Sequence, residues 1–150
     1  MKNVFNKSDV MEIIERINKL NQSTKAQWGK MSVDQMLAHC NVTYEMAFTN
    51  KHPKPNGFKK WILKAFVKGI VVSKKPYKKN GRTAPEFLIA DPKNFEEEKA
   101  RLIEHLRKTL DLGAKHFDGR ESHSFGELSK EEWNNMFSKH LNYHLNQFGV

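Results

Sequence analysis

Apolar residues recur at three- and four-residue spacing in four stretches of this chain, each preceded by a residue able to cap a helix. Val10, Ile13, Ile14, Ile17 and Leu20 form the first stripe; with Ser8 or Asp9 as cap it predicts a helix over residues 9–21. Ser32-Val33-Asp34-Gln35 is a capping-box sequence in which Gln35 reaches back to the cap, opening a second helix that runs to about Asn50. Asn94-Phe95-Glu96-Glu97 opens a third, with Leu102, Ile103, Leu106 and Leu110 inward and Gly113 near its end. Ser129-Lys130-Glu131-Glu132 opens a fourth, in which Trp133, Met136, Phe137, Leu141 and Phe148 share one arc of the wheel. Four capped amphipathic helices predict an all-α fold, a four-helix bundle.

The stretches between them carry different signals. His52-Pro53-Lys54-Pro55-Asn56-Gly57 breaks the chain, and Phe58 to Val72 then reads as an additional short basic amphipathic helix between helices 2 and 3. Lys60, Lys64 and Lys68 share one side of it, while Phe58, Trp61, Ile62, Ala65, Phe66 and Gly69 share the other; Lys59 is out of place. Residues 73–93 contain Pro76, Gly81, Pro85 and Pro92, and predict an irregular connection with at most a short extended piece at Phe87-Leu88-Ile89. Asp118 to Leu128, with Gly119 and Gly126, reads as a second loop.

At 150 residues the chain has length for one continuous core, so a single domain over residues 1–150 is expected. No apolar run has membrane-spanning length and the first residues lack the apolar stretch of a signal peptide, so the expected location is cytoplasmic. Cys40 is the single cysteine, which excludes an internal disulfide and a multi-cysteine zinc site. Adjacent helix residues point about 100° apart, so Cys40 does not share a face with His39; it belongs to the inward stripe as a buried structural thiol. The net charge of +9 is concentrated: residues 51–82 hold eleven Lys and Arg and no acid, leaving fifteen basic against seventeen acidic residues elsewhere. Such a segment suits an anionic partner or a solvated flank, and its apolar side suits either a membrane interface or a cover over the bundle.

Two histidines alter the picture of the fourth helix. His140 and His144 are four residues apart, on one face and one turn from each other, and they fall inside the apolar arc. Buried imidazoles need partners for both ring nitrogens, and this spacing can hold one divalent metal ion. A catalytic type of site needs a third protein ligand. His52 and His123 lie in loops; His105 and His116, eleven residues apart on or at the end of the third helix, are separated by roughly 16 Å and cannot share an ion. His39 sits at the margin of the inward face made by Val33, Met36, Leu37, Cys40 and Tyr44, so helix phase leaves both His39 and His105 open as third ligand.

Trp28-Gly29-Lys30-Met31-Ser32, continuing through Gln35-Met36-Leu37-Ala38-His39, resembles the start of the second helix in the DinB/YfiT-like superfamily, within a branch of unassigned function. His140-Leu141-Asn142-Tyr143-His144-Leu145-Asn146-Gln147-Phe148-Gly149 resembles the last helix of that branch. Weaker similarity lies in Pro85-Glu86-Phe87 and in Phe125-Gly126-Glu127-Leu128-Ser129 followed by Trp133. The resemblance implies a DinB-like four-helix bundle holding one divalent metal (nickel, zinc, iron or manganese) through three histidines, which map onto His39, His140 and His144. It further implies a metal-dependent transferase or hydrolase acting on a small-molecule substrate, with a low-molecular-weight thiol such as bacillithiol, mycothiol or glutathione as cosubstrate, and a homodimer. Gln35 and Gln147, one turn from their histidines, are candidates to orient ligands or substrate, although capping explains Gln35 equally well. The competing expectation is a non-catalytic binding domain that uses residues 51–82 to contact nucleic acid or an anionic membrane surface.

Overall fold

The computed structural model describes residues 1–150. Its first helix, α1 (Lys7–Asn18), starts behind Asn6, whose side chain accepts from the Asp9 amide, earlier than a Ser8 or Asp9 cap would place it. It also ends at Asn18, short of residue 21. In α2 (Val33–Phe48) Gln35 Oε1 accepts from the Ser32 amide at 3.1 Å, which is the expected reach back to the cap. Asn94 caps α5 (Phe95–Phe117), and the reciprocal bonds of Ser129 and Glu132 open α6 (Lys130–Gln147).

These four helices share one core. α2 packs on α5 and α6, and α1 packs on α5. Ile17, Leu37, Leu102, Leu106, Phe137 and Leu141 are among the side chains buried where they meet. Every residue from Met36 to Glu45 is buried, so α2 has no solvent face over that span. No helix is long and apolar enough to cross a membrane.

The chain departs from the sequence expectation in three places. The 118–128 stretch is not a plain loop: β1 (Arg120–Ser122) pairs antiparallel with β2 (Gly126–Leu128), so the protein is mostly helical with a small two-stranded sheet rather than all-α. Strands of three residues are too short to show alternation. Their turn is held by Ser122 Oγ, which accepts from the Phe125 amide and donates to the Gly126 carbonyl, and Gly126 takes a positive φ of 75°. Second, Pro85–Phe87 is a 3₁₀ turn and not the start of an extended piece, because Pro85 sets the helical φ of its first position. Third, Gly113 (φ 71°) interrupts α5 without ending it, and helical structure resumes as far as Phe117.

The basic helix comes in pieces: α3 (Gly57–Ile62), a π-turn (Leu63–Val67) and α4 (Lys68–Val72). Its end is tied to α6 through backbone carbonyls. Asn135 donates to Val72 O at 2.9 Å, and Lys139 Nζ donates to Ile70 O at 2.7 Å and Ser73 O at 2.6 Å. Its orientation decides between the two uses open to its apolar side. Lys60 pairs with Glu121 and Lys68 with Glu132, so the lysine side faces the hairpin and α6. Phe58, Trp61, Phe66 and Ile70 point to solvent.

Candidate metal centre

α2 and α6 bring His39, His140 and His144 together. One ring nitrogen from each lies within 4.8 Å of the others, and ring centroids are 4.5–4.9 Å apart. His39 and His144 are buried, and His140 keeps partial exposure. His105, the rival third partner, is elsewhere: its Nδ1 meets Asn41 Oδ1 at 2.9 Å and its ring stacks on Tyr44. His52 donates to Glu45, His123 lies against Ser124, and His116 accepts from Arg120.

Each imidazole is held from outside the cluster at Nδ1. His39 Nδ1 is 2.8 Å from the Phe87 carbonyl, which can only accept, so that nitrogen carries the proton and Nε2 presents a lone pair inward. His144 reaches the same tautomer by a longer route. The Trp28 carbonyl accepts from Gln147 Nε2 at 2.7 Å, which turns Gln147 Oε1 toward His144 Nδ1 at 2.8 Å. An amide oxygen also only accepts, so His144 Nδ1 is the donor. His140 Nδ1 lies 3.0 Å from Thr43 Oγ1, a hydroxyl able to donate or accept.

Burial keeps the three rings uncharged. It lowers the His144 pKa to about 3, with the neighbouring His39 adding to the effect and the Gln147 bond opposing it. The same burial pushes His140 well below its ordinary value, helped by His144 and His39, and lowers His39 against the opposing Phe87 bond. Neutral imidazoles with inward lone pairs are the form that binds a cation.

The donor set fits a divalent ion. Three nitrogens at about 2.1 Å from a tetrahedral centre stand roughly 3.4 Å apart. His39 Nε2 and His140 Nε2 are 2.9 Å apart, so small ring movements reach ligand spacing. Without a cation, a proton must lie between those two nitrogens. Thr43 permits that arrangement as well, by donating to His140 Nδ1 and leaving Nε2 to carry the hydrogen. The three histidines therefore can hold a metal ion, and their outer partners are compatible with it.

The two glutamines part company. Gln147 touches His144 directly, whereas Gln35 is occupied by the Ser32 amide and by the Ala90 carbonyl, to which its Nε2 donates at 3.0 Å. Gln35 thus anchors the segment carrying Phe87 and makes no bond to an imidazole. Thr43 and the Phe87 carbonyl were not singled out from sequence. Thr43, one turn after His39, was open to discovery as a polar residue on the same helix face; a backbone carbonyl carries no residue-type signal.

Two shallow clefts lie near the cluster, and the three histidines line neither. One lies between α2, the hairpin and α6, with Thr43, Phe125 and Met136 in its wall. The other is bounded by Trp28, Tyr77, Lys79 and Tyr143. Tyr143 stands edge-on to His144, with ring centroids 5.0 Å apart.

Over residues 3–149 the chain matches the family described as protein of unknown function (DUF1569), and it belongs to that family. No curated protein and no solved structure matches it.

Proposed function

We propose that this member of the DUF1569 family is a DinB-like four-helix bundle that holds one divalent metal at His39, His140 and His144, and that it acts as a metal-dependent transferase or hydrolase on a small molecule. The observation that carries the reading is the convergence of three neutral imidazoles whose outer nitrogens are each engaged, so that their Nε2 atoms meet. The sequence resemblance at Trp28 to His39 and at His140 to Gly149 supports the same assignment. A divalent cation bound by three neutral ligands supplies Lewis acidity, lowering the pKa of a coordinated water or thiol.

The chain's own groups perform the rest. Phe87 O, Thr43 Oγ1 and Gln147 Oε1 hold the three rings in register. A small-molecule electrophile is the proposed substrate, and a low-molecular-weight thiol is the proposed cosubstrate.

Elemental analysis of tag-free protein tests the site. Near-stoichiometric metal in the wild type, lost in His39→Ala and His144→Ala, supports it; no binding after supplementation with nickel, zinc, iron and manganese overturns it. Metal-dependent consumption of a small thiol in the presence of an electrophile tests the reaction class separately.

A further inference from the structure

The helix at residues 57–72 is amphipathic in the reverse sense to a helix that covers a core. Phe58, Trp61, Phe66 and Ile70 are 73%, 61%, 68% and 63% exposed, whereas Lys60 and Lys68 are turned inward onto Glu121 and Glu132. The outward residues form one surface: the Phe58 and Trp61 rings stack with centroids 6.4 Å apart, and Phe66 meets Trp61 edge-on at 6.5 Å. On an unbroken α-helix Ile70 would lie about 120° around from Phe58; the wider π-turn at Leu63–Val67 winds it back toward the same side. Leu88, 65% exposed, belongs to a turn fastened to this helix by Lys59 Nζ and Glu86 Oε1 at 2.6 Å.

Cations flank that apolar surface at both ends. Lys54 precedes the helix and Lys74 and Lys75 follow it directly; all three are exposed and none forms an ion pair, whereas Lys64 lies on the opposite side, its Nζ beside Gly126 of the hairpin. No acid occurs between residues 51 and 82. This arrangement selects among occupants. A second copy of the chain meeting the same face about a two-fold axis would set one acid-free segment of eleven cations against another. A nucleic acid would contact lysines, yet the centre of the patch is aliphatic and aromatic while three of the helix lysines, Lys59, Lys60 and Lys68, are already paired. An anionic lipid surface satisfies both parts at once: acyl chains take Phe58, Trp61, Phe66 and Ile70, and headgroups neutralise the lysines.

We propose that residues 57–72 form a peripheral docking helix for anionic membranes, lying in the interface with its Phe58, Trp61, Phe66 and Ile70 face buried in lipid. The anchoring of its C-terminal carbonyls by Asn135 and Lys139 fixes that face relative to the bundle. This surface operates independently of the histidine centre.

The test is co-sedimentation of the full chain with vesicles of phosphatidylcholine containing about one-third phosphatidylglycerol, set against phosphatidylcholine alone. Binding to the mixed vesicles, weakened as salt is raised from about 50 to 500 mM, is expected. A Phe58→Ser, Trp61→Ser, Phe66→Ser, Ile70→Ser variant is expected to lose about a hundredfold in partition coefficient. Its circular dichroism and melting curve should be unchanged, because these side chains support no core. Lys54→Gln, Lys74→Gln, Lys75→Gln is expected to lose about fivefold for each lysine near the surface. The Trp61 fluorescence, isolated by comparison with Trp61→Phe, should shift to the blue on vesicle addition. The proposal is overturned by the absence of binding at low salt, by binding that survives the four apolar substitutions, or by a blue-shifted Trp61 that tracks protein concentration without lipid, which identifies a second copy as occupant. Retention on single-stranded nucleic acid that exceeds vesicle binding and ignores the apolar substitutions also overturns it.

Discussion

Gln147 separates the stability of the histidine centre from its affinity for metal. Its Nε2 donates to the Trp28 carbonyl and its Oε1 accepts from His144 Nδ1. Gln147→Leu is close in size and removes both bonds. His144 is 5% exposed, so its orphaned N–H bears most of the desolvation cost of an unsatisfied buried donor; the Trp28 carbonyl, only partly buried, bears less. At about 1–3 kcal/mol for each buried group, the loss in stability is about 2–4 kcal/mol. The same change frees His144 to adopt the other tautomer, which weakens metal binding by about 10- to 100-fold.

Gln147→Glu breaks that correlation. A carboxylate still accepts from His144 Nδ1, and does so more strongly, so metal affinity is expected to equal or exceed the wild type. Yet it cannot donate to the Trp28 carbonyl and sets two acceptors against each other, so thermal stability in chelator is expected to fall by about 1–3 kcal/mol. Competition with a chromophoric chelator measures affinity, and denaturant unfolding in excess chelator measures stability. If both substitutions lower affinity equally, or if Gln147→Leu leaves it untouched, the tautomer argument fails.

Further outcomes follow from neighbouring groups. Gly29→Ala is expected to mimic Gln147→Leu, because Gly29 has φ +86° and an added Cβ would stand 2.5 Å from Gln147 Nε2; a metal titration beside a melting curve checks both effects. Thr43→Val removes the partner of His140 Nδ1 and is expected to cost about tenfold in metal affinity, read by the same competition. Cys40 is 1% exposed and burial raises its thiol pKa, so it should resist an aromatic disulfide reagent until the chain is unfolded. Glu45 is buried, which opposes its ionisation, but bonds from Lys51, His52 and Arg101 outweigh that and hold its pKa at about 2 against an ordinary 4.5. Its contribution is therefore present above pH 4.5 and lost as pH falls through about 2; Glu45→Gln should flatten the stability profile across that window and cost about 2 kcal/mol at neutral pH, measured by urea unfolding.

Helix phase located most of the fold but left open what covers each face. His140 and His144 were legible because their spacing fixes their relation whatever surrounds them. The choice between His39 and His105 was not, since a wheel separates inside from outside only where a helix has an outside, and α2 has none between Met36 and Glu45. The basic helix posed the converse difficulty. Its two faces were plain from residues 58–72, but the acids that decide which one turns inward, Glu121 and Glu132, lie on the hairpin and on α6, roughly sixty residues away in sequence. Expecting an apolar stripe to be buried is sound only when no partner elsewhere in the fold draws the opposite face inward.

The segments that carried the sequence resemblance also share a physical task. Trp28 lends its carbonyl to Gln147, and Gln147 sets the tautomer of His144. Phe87, in the Pro85-Glu86-Phe87 stretch, lends its carbonyl to His39, while its ring packs 5.3 Å from His39 and 5.9 Å from His140. Gln35 holds the Ala90 carbonyl and so steadies that stretch against α2. Two separated pieces of chain thus serve the outer nitrogens of imidazoles that α2 and α6 supply, Phe87 directly and Trp28 through Gln147. Main-chain groups do this without demanding a particular side chain at their own position, but they demand a backbone path: a glycine at 29 that lets Gln147 approach, and a proline at 85 that sets the turn. Phe87→Ala therefore keeps the carbonyl and should weaken metal binding only modestly, through lost ring packing. Pro85→Gly, which frees the turn while leaving every side chain near the histidines intact, should weaken it more; the reverse order in a chelator competition would place the ring, not the carbonyl, in control of His39.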